Sequence, residues 1–291
     1  MRHRDIVVGI DGSQQSRAAV RWATAEARRH DAPLRILTAY SWNGPAEALG
    51  GVGELPDVIA QQFDQMATAA AAEARSLEPS IDVSGAAVTG DPVSALRQAS
   101  RTAAMLVVGN RGRGGFASLL LGSVGQQVAT HAACPVVVVR GQRETPSGPI
   151  AVGVDGSASA QRALTLGFDQ AQRRDCGLLA VRSYPPPMPP YGMAVPPLPY
   201  DPEAASRDAA RDLDAILTPW RDKYPAVRVK TLIEPGSPAQ NLIEVSREAA
   251  LVIVGSRGYG PLVGSLLGSV GQQLLHHADC PVMIVHPDQE T

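Results

Sequence analysis

Residues 109–127 read GNRGRGGFASLLLGSVGQQ, and residues 255–273 read GSRGYGPLVGSLLGSVGQQ. Each stretch directly follows a short apolar run, 105–108 (MLVV) and 251–254 (LVIV). Each sets the same pattern, G-x2-G-x9-G-S: Gly109, Gly112, Gly122 and Ser123, then Gly255, Gly258, Gly268 and Ser269. A short apolar run ending in glycine reads as a buried strand entering a turn, and the serine reads as the opening of a helix. Strand, glycine loop and helix in that order belong to open α/β sheets, which bind ligands at the carboxyl ends of their strands.

The duplication extends through the chain. Residues 5–13 (DIVVGIDGS) return at 149–157 (PIAVGVDGS), and 131–139 (HAACPVVVV) return at 277–285 (HADCPVMIV). Residue 5 maps to 149, an offset of 144, and residue 109 maps to 255, an offset of 146. So long a period marks a duplicated domain, since solenoid repeats run ~20–50 residues. The polar stretch 141–148 (GQRETPSG) suits a linker, which sets the domains at 1–143 and 148–291.

Each half alternates strands and helices. In the first, strands are expected at 6–10, 34–39, 81–88, 105–108 and 134–139, with helices at 16–29, 59–77, 91–104 and 123–132. In the second, strands are expected at 150–154, 178–183, 227–233, 251–254 and 280–285, with helices at 160–173, 202–223, 238–248 and 269–277. The fold class is therefore α/β: two tandem doubly wound domains, each a five-stranded parallel sheet flanked by helices. The proline-rich stretch 185–202 reads as a rigid surface loop, or alternatively as a lid.

Composition narrows the function. With 44% hydrophobic and 19% charged residues, the chain is an ordinary globular protein and not a disordered one. A net charge of −2 leaves no basic footprint for nucleic acid, and 4% aromatics are too few for repeated base stacking. No apolar run reaches the ~18–20 residues of a membrane span. After Arg2 and Arg4 the run 6–10 stops at Asp11, short of a secretory h-region. Three cysteines without a CxxC pair point to a reducing, cytoplasmic setting. The only lysines are Lys223 and Lys230, so no P-loop with its lysine exists.

The chemistry concentrates at the glycine loops. Glycine lets backbone amides approach phosphate oxygens, and a helix N-terminus favours an anion. The competing reading makes Ser123 and Ser269 plain N-caps and the glycines plain turns. Arg111 and Arg257 lie inside the loops and can pair with phosphate. Asp11 and Asp155 end the first strand of each half, where a carboxylate can bond a ribose hydroxyl or hold Mg²⁺. The alternative is a turn or cap aspartate. His131 and Cys134, like His277 and Cys280, read as a helix-end histidine and a small buried thiol, too few ligands for structural zinc. No general base or paired carboxylate stands out, so no catalytic residue is expected.

Taken together, VVGIDGS, Ser16, AVRWA, the loop GNRGRGGFASLLLGSV and HAACPVVVV resemble the universal stress protein family in its tandem form. So do GVDGS, GSRGYGPLVGSLLGSV and HADCPVMIV, and the resemblance spans essentially the whole chain. It implies an adenine nucleotide alpha hydrolase-like fold with ATP, with or without Mg²⁺, at the strand ends of both halves. By that resemblance Asp11 and Asp155 contact the nucleotide, and Ala39 and Ser183 lie near adenine. Gly109, Gly112, Gly122, Ser123 and Val124, with Gly255, Gly258, Gly268, Ser269 and Val270, surround ribose and phosphates. The implied role is stress adaptation and growth or persistence regulation, with ATP as bound ligand or signal. A slow ATPase or nucleotide-transferring enzyme is the alternative. Pro261, where the first loop has Gly115, is expected to stiffen the second loop.

The expected fifth strands 136–139 and 282–285 are apolar, and in this topology each would be a sheet edge. Exposed edges are aggregation hazards, so the two are expected to pair about a pseudo-twofold axis within one chain. A homodimer of the whole chain needs another surface, which the sequence does not mark.

Overall fold

The computed structural model describes residues 4–41, 57–112, 121–141, 148–184, 201–258 and 267–287. It divides into two compact units between Thr145 and Pro146. The first unit runs β1 (Ile6–Ile10), α1 (Gln14–His30), β2 (Leu34–Tyr40), α2 (Asp57–Leu77), β3 (Val83–Thr89), α3 (Pro92–Ser100), β4 (Met105–Gly109), α4 (Ser123–His131) and β5 (Val136–Val139). Its strands pair in parallel in the order β3-β2-β1-β4-β5. Ile6 stands opposite Leu34 on one side and Met105 on the other, so β1 is the centre of the sheet.

The second unit repeats this order: β6 (Ile150–Gly153), α5 (Ala158–Arg173), β7 (Leu178–Tyr184), α6 (Pro202–Lys223), β8 (Val229–Pro235), α7 (Pro238–Val245), β9 (Leu251–Gly255), α8 (Ser269–His277) and β10 (Val282–Val285). Its sheet, also parallel, is ordered β8-β7-β6-β9-β10.

The central strands are covered on both faces, which is why their sequences are continuously apolar. Ile6, Val7, Val8, Leu106 and Val107 are buried, as are Ile150, Val152, Val252 and Ile253. Each such side chain contributes ~1.5–3 kcal/mol on leaving water. α2 lies close on β3, where a Cβ on Gly85 would meet the Ala67 carbonyl oxygen at 2.5 Å. α3 lies on the opposite face, with Leu96 against Gly9. In the second unit Phe168 of α5 stacks on Trp220 and Tyr224 at 5.9 and 5.3 Å, fastening α6 to α5.

Several element ends differ from expectation for identifiable reasons. The helix expected over 91–104 ends at Ser100, whose hydroxyl donates to the Arg97 carbonyl and accepts from the Ala133 amide at 2.9 Å. The Ala104 amide already belongs to the sheet, donating to Asp5. Ser246 ends α7 in the same way, accepting from the Asp279 amide at 2.8 Å. β5 and β10 begin two residues after the cysteines, because Pro135 and Pro281 have no amide to donate to a ladder. Ile81 belongs to a turn, donating to the Glu78 carbonyl, and β3 starts at Val83. Of the proline-rich stretch, 185–200 lies outside the described residues, while Asp201 caps α6 through the Glu203 and Ala204 amides. No helix among the described residues is long and apolar enough to cross a membrane.

Candidate functional site

In both sheets the strand order reverses beside the first strand, between β1 and β4 and between β6 and β9, and the crevice at such a reversal is where open sheets take ligands. A cavity of about 690 Å³ lies there in the first unit, and one of about 410 Å³ in the second. Asp11, Ala39, Gly109, Gly112, Gly122, Ser123 and Val124 all line the first cavity. Asp155, Ser183, Gly255, Gly258, Gly268, Ser269 and Val270 all line the second. The structure thus gathers the candidate residues of each half around one space.

The aspartate that lines each cavity sits at the head of an Asp-Gly-Ser turn. Gly12 and Gly156 have φ of 80° and 94°, which a side chain would strain. Asp11 Oδ1 accepts from the Ser13 amide at 3.0 Å, and Asp155 Oδ1 from the Ser157 amide at 2.9 Å. The turn reading of these aspartates is therefore correct for one carboxylate oxygen. The cap reading belongs instead to Ser13 and Ser157, whose hydroxyls accept from Ser16 and Ala160. The other oxygen, Oδ2, faces the glycine loop. A Cβ on Gly112 would stand 2.4 Å from Asp11 Oδ2, and one on Gly258 2.4 Å from Asp155 Oδ2.

The three glycines of each loop do different jobs. A Cβ on Gly109 would meet the Gln15 backbone at 2.8 Å, and one on Gly255 would meet Ser159. The first glycine therefore gives clearance to the incoming helix and not to a ligand. The second gives clearance to the aspartate. The third, Gly122 or Gly268, has ordinary space around it. Its amide closes the loop by donating to Asn110 at 2.8 Å or Ser256 at 2.7 Å. The loop is also tied to the first helix: Ser159 Oγ donates to the Arg257 carbonyl, and Ser13 Oγ to that of Arg111 at 3.4 Å.

The reading of Ser123 and Ser269 as N-caps is not what the structure shows. Gly122 and Gly268 are the caps, neither helix has a side-chain cap bond, and the serines are the first helical residues. The first turns of α4 and α8 thus line their cavities without a side chain engaging their leading amides. Arg111 and Arg257 line the same cavities and add positive charge. No cluster of three or more His, Cys, Asp or Glu that could hold a metal occurs among the described residues.

Sequence reasoning missed the apolar wall. Leu37, Phe63, Pro92 and Leu96 line the first cavity, and Val181, Pro238 and Leu242 the second. Phe63 stacks on Tyr40 with ring centroids 4.6 Å apart, and the signal was there: a lone aromatic in an alanine-rich helix. Histidine and cysteine stay apart from both cavities. His131 ends α4, its Nδ1 2.9 Å from the Gln127 carbonyl, and Cys134 and Cys280 are buried. Arg113, Gly115 and Pro261 lie outside the described residues.

Residues 2–140 and 147–286 each match the model of the universal stress protein family. A universal stress protein of Mycolicibacterium smegmatis is 35% identical over 293 residues, with 97% of both chains covered. One from Mycobacterium tuberculosis is 33% identical over 294 residues, again with 97% of both covered. Among solved structures, a universal stress protein from Archaeoglobus fulgidus superposes with a TM-score of 0.70 at 19% identity, covering 98% of this chain and 96% of its own, a likeness of fold. With two matches that together span nearly its whole length, this chain belongs to the universal stress protein family.

Proposed function

We propose that each unit binds one adenine nucleotide, ATP, with its phosphates at the glycine loop and its base against the apolar wall. The observation that carries this reading is the first turn of α4 and α8, capped only by glycine and lining a cavity that also holds an arginine. A helix terminus stabilises an anion by ~0.3–1 kcal/mol, up to ~2 when partly buried. Micromolar affinity needs about 8 kcal/mol, so the wall and the arginine must supply most of it. Leu37, Phe63 and Leu96 can do so in the first unit, and Val181 and Leu242 in the second. The glycine loops resemble the family's ATP-binding signature, which supports ATP over other anions.

One carboxylate per cavity fits Mg²⁺, which commonly takes one or two carboxylates plus phosphate oxygens and water. Asp11 and Asp155 would hold the ion, which would neutralise phosphate charge when bound. Without it, the same carboxylates serve to accept from ribose hydroxyls. The role we propose is regulatory: a stress-response protein in growth or persistence control that carries ATP as ligand or signal in a reducing cytoplasm. The odd number of cysteines without a CxxC pair in the sequence supports that compartment. Pairing of the two fifth strands within the chain belongs to the same proposal and rests on their apolar edge sequences. If residues 1–143 alone stay a soluble monomer at high concentration, that pairing is wrong.

The direct test is release and identification of nucleotide from freshly purified protein. Adenine nucleotide at up to two per chain is expected. Protein that carries none, and takes up none when supplied with ATP, contradicts the proposal.

A further inference from the structure

Among the differences between the two halves, two matched positions carry polar side chains only in the second. Leu34 and Leu178 hold the same register against the first strand of their sheets, so Ala39 on β2 corresponds to Ser183 on β7. Pro92 and Pro238 open equivalent helices, so Ala95 on α3 corresponds to Asn241 on α7. The first unit has alanine at both positions, and the second has a hydroxyl and an amide. Asn241 Nδ2 lies 3.0 Å from Ser183 Oγ and 3.4 Å from the Pro235 carbonyl oxygen. A carbonyl only accepts, so Pro235 fixes the amide with its nitrogen toward Ser183. Ser183 Oγ therefore accepts from Asn241. No described residue accepts the Ser183 proton, and Ser183 lines the cavity.

We propose that the Ser183 hydroxyl, held as a donor by Asn241, makes the second cavity selective for a base that presents a hydrogen-bond acceptor there, while the first cavity is indifferent at this point. The selectivity is a difference between the halves of one chain. Ala39 has no polar side-chain atom, and Phe63 gives the first cavity an aromatic wall that the second lacks among the described residues. Ser183 is the contact residue and Asn241 a positioning residue that acts through it. This inference rests on the nucleotide reading of the site.

The test uses the full chain with the first cavity filled by Gly122→Val, so that only the second site is titrated. The probes are ATP and its 1-deaza, 3-deaza and 7-deaza analogues, each with one ring nitrogen replaced by CH. At least one analogue should bind about three- to tenfold more weakly than ATP, the scale of one neutral hydrogen bond. Ser183→Ala copies the residue of the first unit and should bring that ratio to one. Asn241→Asp, whose carboxylate would accept the serine proton, should do the same. Ratios within one protein are insensitive to a general loss of affinity or stability, which a merely structural role would cause. In the mirror experiment, Gly268→Val with Ala39→Ser and Ala95→Asn should create the discrimination at the first site. If ATP binds the second site and the ratios are unmoved by Ser183→Ala, or no analogue is weaker, this inference alone fails. If the second site takes no ATP at all, the nucleotide reading fails with it.

Discussion

The Asp11 carboxylate rests against the backbone of Gly112, leaving no room for a methyl group: an added Cβ would stand 2.4 Å from Oδ2. Asp155 and Gly258 repeat the contact at the same distance. The contact joins the turn after β1 to the loop after β4, so the aspartate's position and the glycine's identity are one constraint. Gly112→Ala should therefore displace the carboxylate and weaken nucleotide binding much as Asp11→Ala does. A hydrogen bond to a charged group contributes ~1.5–3 kcal/mol, so about ten- to a hundredfold in affinity is expected. In a double-mutant cycle by calorimetry, the paired substitution should be little worse than Asp11→Ala alone. Full additivity would show that the two act separately.

The three loop glycines should separate by phenotype. Gly109→Val drives a side chain into the Gln15 backbone, an overpacking that costs ~1–3 kcal/mol and lowers the melting temperature. A Cβ on Gly122 would meet only ordinary contacts, so Gly122→Val should lower melting less than Gly109→Val while abolishing one binding site. Melting curves and ATP titration on the same two proteins decide the matter. Equal melting losses would remove the distinction.

Legibility in the sequence followed what was local. α6 and α8 have the bounds expected from their caps and periodicity, because Asp201-Pro202 and Gly268-Ser269 are start signals readable in place. The ends of α3 and α7 were not readable. They are set by Ser100 and Ser246 accepting from amides 33 residues away. The glycine, serine and aspartate candidates stood out because duplication displayed them twice, whereas Ala39 and Ser183 came only from the resemblance. The roles of Gly109 and Gly112 were not legible, since Gln15 and Asp11 approach them only in the fold. Phe63 and Leu96 reach the cavity from helices whose pattern announces only burial.

Asp91 caps α3, accepting from the Ser94 amide at 2.8 Å. That backbone bond, with the Ser94 side chain adding to it, holds the carboxyl below its usual value. A lowered folded-state pKa contributes stability that is present above the unfolded value, near 3.9, and is lost as pH falls through the folded one. Asp91→Ala should cost ~1 kcal/mol at neutral pH, and its gap from the unmutated protein should close in that acid range. Denaturant titrations between pH 7 and pH 2 measure it. A gap that persists at the acid end would assign the loss to something other than the charged cap.

Cys134 and Cys280 are buried, one in each unit, while Cys176 is partly exposed. A thiol reagent should modify Cys176 in the native protein and reach the other two only through opening. Bound ATP should slow the labelling of Cys134 and Cys280, because ligand held by the folded state stabilises it. Mass spectrometry reads each unit separately. Gly122→Val should remove the protection of Cys134 and leave that of Cys280.

Calorimetric titration of nucleotide-freed protein with ATP tests the nucleotide reading most directly. Two sites per chain are predicted, one lost with Gly122→Val and the other with Gly268→Val. Absence of ATP binding to the unmutated chain, or binding that survives both substitutions together, would contradict it.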